Sequence, residues 1–335
     1  MKHFYLRIYS LLLGIACLCS NLPLMAQKVD LKFNEKGNFK IVQFTDLHIC
    51  WQDKRSDIAF TCMKNIIEAE LPDLIVVTGD MIYSQPAKQN FEHVMKFISQ
   101  FGIPFAITFG NHDRQFGASN DELLKIARQI PYCVASDVEE LTGVGNYVLE
   151  VKGSQSLENK LILYFLDSQE DSLLKKEGVA GYDYIHSDQI DWYIHVSRKY
   201  TAQNGDIPVP ALAFFHIPLP EYNQAASSEK AALYGIRRET ACAPLLNTGL
   251  FAAMKEQGDI MGVFVGHDHD NDYAVNWYDI LLAYGRFSGG PTEYTHLPNG
   301  ARIINLTEGK RVIDTYIRTT DGKIEQVTSF PKDYK

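Results

Sequence analysis

Positive charge is scarce in this sequence. Its 32 Lys and Arg stand against 41 Asp and Glu, a formal net charge of −9. That balance argues against a nucleic-acid binder that works by broad phosphate neutralisation. It leaves room for a phosphorylated substrate, because a bound metal can supply the local positive charge. Thiolate metal sites are also poorly supported. Beyond residue 26 only Cys50, Cys62, Cys133 and Cys242 remain, irregularly spaced and with no Cys-x-x-Cys pair. A Cys50–Cys62 bridge and free buried thiols fit that spacing equally well. Past residue 27 no apolar run approaches the ~20 residues that span a bilayer, so no transmembrane helix is expected. Internal repeats and low-complexity linkers are missing too. With 46% hydrophobic and 22% charged residues, the chain reads as globular, which excludes disorder, collagen and coiled coil as its main architecture.

What is present begins with a leader. Met1 to Arg7 carries Lys2 and Arg7 and no acid. An apolar stretch from Ile8 to Cys19 follows, broken by Tyr9 and Ser10, and small or apolar residues lead to Ala26-Gln27. A basic start, a short apolar centre and a small residue at the cut read as a secretory signal peptide over residues 1–26. The mature protein is then expected to be secreted or periplasmic. A lipoprotein form through Cys17 is disfavoured, because Gly14-Ile15-Ala16 lacks a Leu three residues before the cysteine. The rest reads as one domain, residues 31–330.

Within that domain, short apolar runs alternate with helical patterns. Lys40–Phe44, Asp73–Thr78 and Pro104–Phe109 predict strands. Helices are predicted over Ser56–Leu71 and Phe91–Phe101 between them. This β-α-β-α-β order calls for a mainly parallel sheet with covering helices. Further strands are expected at Leu161–Leu166, Ala211–Phe215 and Ile260–Val265, and helices at Ser187–Tyr200 and Ala243–Glu256. After Tyr273 short strands and turns are expected to end near Ile317. The long loop-like stretch from Leu219 to Cys242 is expected at a site rim.

Polar residues cluster where these strands stop. Asp46 and His48 follow the first strand, and Gly79-Asp80 the second. Gly110-Asn111-His112-Asp113 follows the third, His216 follows Phe214-Phe215, and Gly266-His267-Asp268-His269 follows Val263-Phe264-Val265. In open α/β sheets, ligands bind outside the carboxyl ends of the strands. Singly, each motif reads as a turn, a cap or a core histidine. Their joint, ordered occurrence, with five of the ten histidines, marks a site. Oxygen and imidazole donors without thiolate suit Zn, Fe or Mn. A shared carboxylate can bridge two such ions ~3.5–4 Å apart, and a pair of that kind activates water and clamps phosphoryl oxygens. Gly79, Gly110 and Gly266 are expected to let the backbone turn sharply beside the metals.

The ordered set, from about Lys40 to Gly290, resembles the calcineurin-like metallophosphoesterase superfamily. The resemblance implies an α/β fold, a four-layer α/β/β/α double β-sandwich. It implies that Asp46, His48, Asp80 and His269 hold one metal, and that Asp80, Asn111, His216 and His267 hold the second, with Asp80 bridging. Asp80 and His112 become the catalytic candidates. His112 resembles the family histidine that contacts the phosphate and can protonate the leaving group or stabilise the transition state, with Asp113 or Asp46 as candidates to orient its ring. Hydroxide generated at the metals, rather than a covalent nucleophile, attacks phosphorus.

Gly79-Asp80-Met81-Ile82-Tyr83, Phe165-Leu166-Asp167-Ser168, Gly181-Tyr182-Asp183-Tyr184 and the run from Asn247 to Tyr273 are similar to purple-acid-phosphatase-like proteins. There the tyrosine ligates ferric iron and the first motif is Asp-x-Gly. Here that motif is Asp46-x-His48, so His48 and Tyr83 compete for one coordination position, with Tyr83 a possible extra ligand. Arg114 and Arg286 are the substrate-binding candidates, because an Arg fork matches phosphate oxygens. Asn271 and Asp272 are expected either to support the ligands or only to shape the turn. The implied activity is that of an exported phosphoesterase with two divalent or mixed-valence ions, acting on small or macromolecular phosphate esters. Phosphomonoesters come first, nucleotide or lipid-headgroup diesters second, and an inactive binding scaffold is the non-enzymatic rival.

Overall fold

The computed structural model describes residues 30–335, and the expected signal peptide lies outside them. The strands in chain order begin with β1 (Leu31–Lys32), β2 (Asn38–Phe44), β3 (Leu74–Thr78), β4 (Phe105–Thr108) and β5 (Tyr147–Lys152). Then come β6 (Asn159–Phe165), β7 (Ala211–Phe214), β8 (Leu233–Tyr234), β9 (Ile260–Val265) and β10 (Ala274–Trp277). The last four are β11 (Ile280–Tyr284), β12 (Gly300–Thr307), β13 (Ile313–Thr319) and β14 (Ile324–Phe330).

They form two sheets, one ordered β14-β13-β12-β2-β3-β4 and the other β1-β5-β6-β7-β9-β11-β10-β8. Each sheet has a parallel centre, β2-β3-β4 in the first and β6-β7-β9-β11 in the second. Antiparallel strands continue both, so the expected parallel sheet is the middle of a mixed pair.

Period-two alternation on β6 shows why there are four layers. Leu161, Leu163 and Phe165 enter a core shared with β2, β3 and β12 of the other sheet. Ile162 and Tyr164 enter a second core with Tyr193 of the helix Ser187–Gln203 and Met254 of the helix Leu250–Gln257. Both faces are apolar because both are covered. Phe165, Phe214 and Phe264 stack across β6, β7 and β9 at 5.2 and 5.4 Å between ring centroids, filling the space between the sheets. On the far side the helix Asp57–Glu70 packs against β2, β12 and β13. The arrangement is helix, sheet, sheet, helix, as expected.

Local details differ from the sequence reading. The helix expected from Ala243 starts at Leu250, because Pro244 and Gly249 break the preceding turn. A helix at Asn120–Ala127, capped by Ser119 and Glu122, went unnoticed, although Ser-x-x-Glu is a capping-box signature. The fold continues past Ile317 to β14.

Two buried arginines join the sheets. Arg302 on β12 donates to the carbonyls of Tyr284 and Asp272 at 2.5 Å and to Thr315 Oγ1 at 3.1 Å. Arg286 is 0% exposed. It pairs with Asp272 and Glu325 and donates to the Pro298 carbonyl at 2.8 Å. This corrects its expected role as a substrate ligand: all its donors are turned into the fold, where a buried cation needs its carboxylate partners. Arg286→Met is expected to cost about 3–5 kcal/mol by leaving the Asp272 carboxylate buried without its cation. Denaturant unfolding measures this, and an unchanged midpoint would contradict it.

Candidate metal centre

The polar residues expected at strand ends converge at one edge of the two sheets. The chain leaves β2 through Asp46 and His48 with left-handed φ values of 54° and 45°, leaves β3 through Asp80 at 52°, and leaves β9 through His267 at 82°. Left-handed backbone is uncommon outside glycine and clusters where the surrounding structure over-determines it, commonly at functional sites. Gly79 is left-handed as well, at φ 85°, and a Cβ there would lie 2.6 Å from His216 Nδ1. Gly110 and Gly266 are not left-handed. They are needed for room, since a Cβ on either would strike the carboxylate of Asp80 or the side chains of Thr45 and Asp46. The expectation of sharp turns at all three thus holds for Gly79 alone.

Two groups of donors result. Asp46, His48 and His269 form one, and Asp80, His216 and His267 the other, with the donor atoms of each group within 4.8 Å of one another. Asn111 Oδ1 lies 3.1 Å from His216 Nε2, beside the second group. Asp80 Oδ2 is 3.2 Å from His216 Nε2 and 3.6 Å from His48 Nε2, so one carboxylate stands between both groups. All seven residues are 8% exposed or less.

Several tautomers follow from partners that can only accept. His216 Nδ1 lies 2.7 Å from the Thr78 carbonyl and His269 Nδ1 2.8 Å from that of Tyr294. Each Nδ1 must donate, so in the neutral ring Nε2 is a lone pair aimed into the cluster. His48 and His269 face each other Nε2 to Nε2 at 3.1 Å. His48 Nδ1 and His267 Nε2 are buried with no hydrogen-bond partner. Converging lone pairs, buried orphaned nitrogens, two carboxylates and no thiolate together fit two ions of the Zn, Fe or Mn type.

The electrostatics of the metal-free cluster divide the rings. Burial lowers His48 to about 4 and His267 to about 3, which keeps both rings neutral and able to ligate. Burial would also lower His216, but the charges of Asp80 and Asp46 outweigh it and push that ring up to about 10. Burial raises Asp46, yet His269, 3.6 Å away, and the charge of His216 bring it down to about 2. Asp80 is held well below the usual range: burial opposes this, and His216 more than offsets it.

Asp113 has a different job from the one expected. It does not meet the His112 ring. Its carboxylate accepts from the backbone N–H groups of Gly110 at 2.8 Å, Asp80 at 3.0 Å, Met81 at 2.8 Å and Ile82 at 3.2 Å, tying the second strand-end loop to the third. The His112 ring is instead oriented by Gln115 Oε1, 2.8 Å from Nδ1, while its backbone N–H donates to Asp80 Oδ1 at 2.8 Å. Its Nε2 lies 4.0 Å from Asp80 Oδ2, and the side chain is 28% exposed. Gln115 escaped the sequence reading; its only signal was a polar acceptor three residues after His112.

Tyr83 packs edge-on to His48 and His112 at 4.8 and 5.0 Å. Glu293 lies close enough to push the tyrosine hydroxyl up to about 12 in the metal-free site. Arg114 pairs with Glu170. Asn271 and Asp272 hold the Leu219–Cys242 stretch: Asn271 Oδ1 accepts from Arg238 and Glu239 N–H, and Asp272 from Ile236 N–H. Cys50, Cys62, Cys133 and Cys242 are free thiols, so Cys50 and Cys62 are not bridged.

Comparison with known proteins settles the lineage. The calcineurin-like phosphoesterase family matches residues 39–271, which contain every residue of both donor groups. The chain belongs to the calcineurin-like phosphoesterase family. Its relatives place it in the purple-acid-phosphatase-like branch. It is 33% identical over 311 residues to Probable inactive purple acid phosphatase 29 of Arabidopsis thaliana, covering 83% of this chain and 79% of that one. It is 31% identical over 342 residues to Phosphatase DCR2 of Saccharomyces cerevisiae, covering 90% of this chain and 57% of the yeast protein. The fold matches a dimetal phosphatase from Danio rerio with a TM-score of 0.58 at 14% identity, covering 87% and 98% of the two chains. Calcineurin-like phosphoesterases depend on a binuclear metal centre, and the two donor groups here are candidates to hold one.

The raised His216 fixes a sign. Its stabilising contribution to the metal-free protein is complete below the ordinary value of 6.5 and is lost as pH rises through about 10. At pH 8 the metal-free ring therefore keeps a proton that a metal must displace. Adding Zn to metal-free protein at pH 8 is expected to release about one proton from this residue, read with an indicator dye and missing in His216→Ala. Equal release from both proteins would contradict the assignment.

Proposed function

We propose that this chain is an exported, two-metal phosphoesterase that acts on phosphomonoesters in preference to diesters. The observation that carries the reading is the Asp80 carboxylate standing between two donor groups, with the exposed imidazole of His112 beside it. In this reading Asp46, His48, Asp80 and His269 hold one ion, and Asp80, Asn111, His216 and His267 the other. The ions would supply Lewis acidity toward water and phosphoryl oxygens at neutral pH.

The chain's own groups do the rest. Gln115 fixes the Nδ1 proton of His112, which leaves Nε2 on the side of Asp80, 4.0 Å from its Oδ2. There His112, once protonated, donates to a phosphoryl oxygen or to the departing alkoxide. Arg114 is available to a phosphate oxygen only by leaving Glu170, a competition that favours doubly charged monoester phosphate over singly charged diesters. Asp113 holds the loops bearing Asp80 and His112 in one register.

The name of the Arabidopsis relative raises a second reading, an inactive protein with a phosphoesterase fold. A scaffold of that kind predicts gaps in the donor set, whereas here seven candidate ligands and His112 occupy one edge. Among the described residues no helix is long and apolar enough to cross a membrane. Export rests on residues 1–26 and predicts that protein recovered from the periplasm or medium begins near Gln27; an intact Met1 there would refute cleavage.

Two variants separate the readings, assayed on an aryl phosphate monoester and its diester with Mn, Zn or Fe and a chelator control. Asp80→Asn is expected to lower metal content and abolish turnover, because both ions share that residue. His112→Ala is expected to keep the metals and lose about 10²–10⁴ of turnover. Activity retained in Asp80→Asn, or no chelator-sensitive turnover in the unaltered protein, would sink the two-metal reading.

A further inference from the structure

The candidate ligands are buried, so a substrate must reach them past half-buried and exposed neighbours. Those neighbours are His112, Tyr83, Tyr182 and Tyr294. Tyr182 lies edge-on to His267 at 4.4 Å, and Tyr294 stacks on His269 at 4.5 Å while remaining 47% exposed. The charged groups behind these rings differ on the two sides. On the His112 side, Arg114 and Glu170 cancel one another.

On the His269 side stand two carboxylates. Glu239 accepts from the Tyr294 hydroxyl at 3.0 Å and from the Asp270 N–H at 2.7 Å. Glu293 accepts from the Tyr294 N–H at 2.9 Å and lies near Tyr83, whose hydroxyl it pushes up. Among the described residues neither is in a salt bridge with Lys or Arg; the neighbouring Arg238 guanidinium is turned to the His296 carbonyl at 2.9 Å. Their hydrogen-bond partners are neutral, which fixes the carboxylates in place without a Lys or Arg to pair their charge.

Resting on the phosphoesterase reading, we propose that Glu239 and Glu293 select the substrate: they admit phosphate esters whose alcohol part is neutral or cationic and reject those with a second negative group. With its leaving oxygen at His112, the alcohol part lies against Tyr83, 5.0 Å from His112 between ring centroids, and so on the side of Glu293 and the Tyr294 ring that Glu239 holds. A carboxylate or second phosphate there would meet two fixed like charges in a half-buried setting, where repulsion is only partly screened. A hydroxyl or ammonium would meet acceptors.

The test compares three substrates in the metal-loaded protein: 4-nitrophenyl phosphate, its ring-carboxylated analogue, and phosphoethanolamine. Glu293→Gln and Glu239→Gln keep the shape, and each tyrosine hydroxyl can reverse to accept from the new amide. Each variant is expected to raise kcat/KM for the carboxylated ester about five- to tenfold relative to 4-nitrophenyl phosphate, and to lower it for phosphoethanolamine. Comparing variant with unaltered protein for each substrate cancels intrinsic leaving-group reactivity. Raised salt should narrow discrimination in the unaltered protein without any mutation. Equal changes for all three substrates would mean that the carboxylates only position His269 and Tyr83, and would overturn the proposal. So would salt-independent ratios. No turnover of any ester by the unaltered protein would instead defeat the phosphoesterase reading.

Discussion

The site depends on how the Asp113 carboxylate is used. Four backbone N–H groups from two loops end on it, at 2.8 to 3.2 Å. Three belong to the loop after β3 and one to the loop after β4. The first loop carries Asp80, and the second carries Asn111 and His112. Without that clamp the loops would have independent positions, and a carboxylate displaced by even 1 Å would no longer stand between two donor groups. The clamp also offsets the strain of a left-handed Asp80, a conformation costing on the order of 1–3 kcal/mol. Burial and the Asp80 charge push Asp113 up to about 7, and the backbone donors of Gly110, Met81 and Ile82 oppose that rise. The position therefore suits an acceptor with two oxygens, and a ring-orienting role falls to Gln115.

The larger frame was legible because it rests on periodicity. Runs such as Leu74–Thr78 and Ile260–Val265 are buried at every position, the pattern of a strand covered on both faces. The polar residues that end those runs were legible for the same reason: a histidine after Val263-Phe264-Val265 has nowhere to go but the sheet edge. Contacts between distant segments were not legible. Arg286 reads as a phosphate ligand in the sequence because an Arg fork matches phosphate oxygens. Its partners Asp272 and Glu325 lie 14 and 39 residues away, and only the packed fold brings them to it. Asp113 was misread for a related reason, since adjacency to His112 says nothing about where a carboxylate turns after a strand end. Glu239 and Glu293 had no motif and became visible only through Tyr294 and Tyr83.

The last motif shows how site and frame become one unit. In Gly266-His267-Asp268-His269-Asp270-Asn271-Asp272, the two histidines turn toward the donor groups and the acidic and amide residues turn away. Asp268 accepts from the Tyr284 hydroxyl at 2.6 Å and from the Cys242 N–H at 3.1 Å. Asp270 holds the His296 N–H at 2.6 Å, and Asn271 holds the backbone of Arg238 and Glu239. Asp272 joins Ile236 to Arg286. Each outward side chain thus fastens a different segment to the strand end that carries the histidines. The Leu219–Cys242 stretch is ordered by the same few residues that aim His267 and His269, which is why its Glu239 comes to rest at the mouth. Loosening either part loosens the other, because the motif has no residue free to hold one alone.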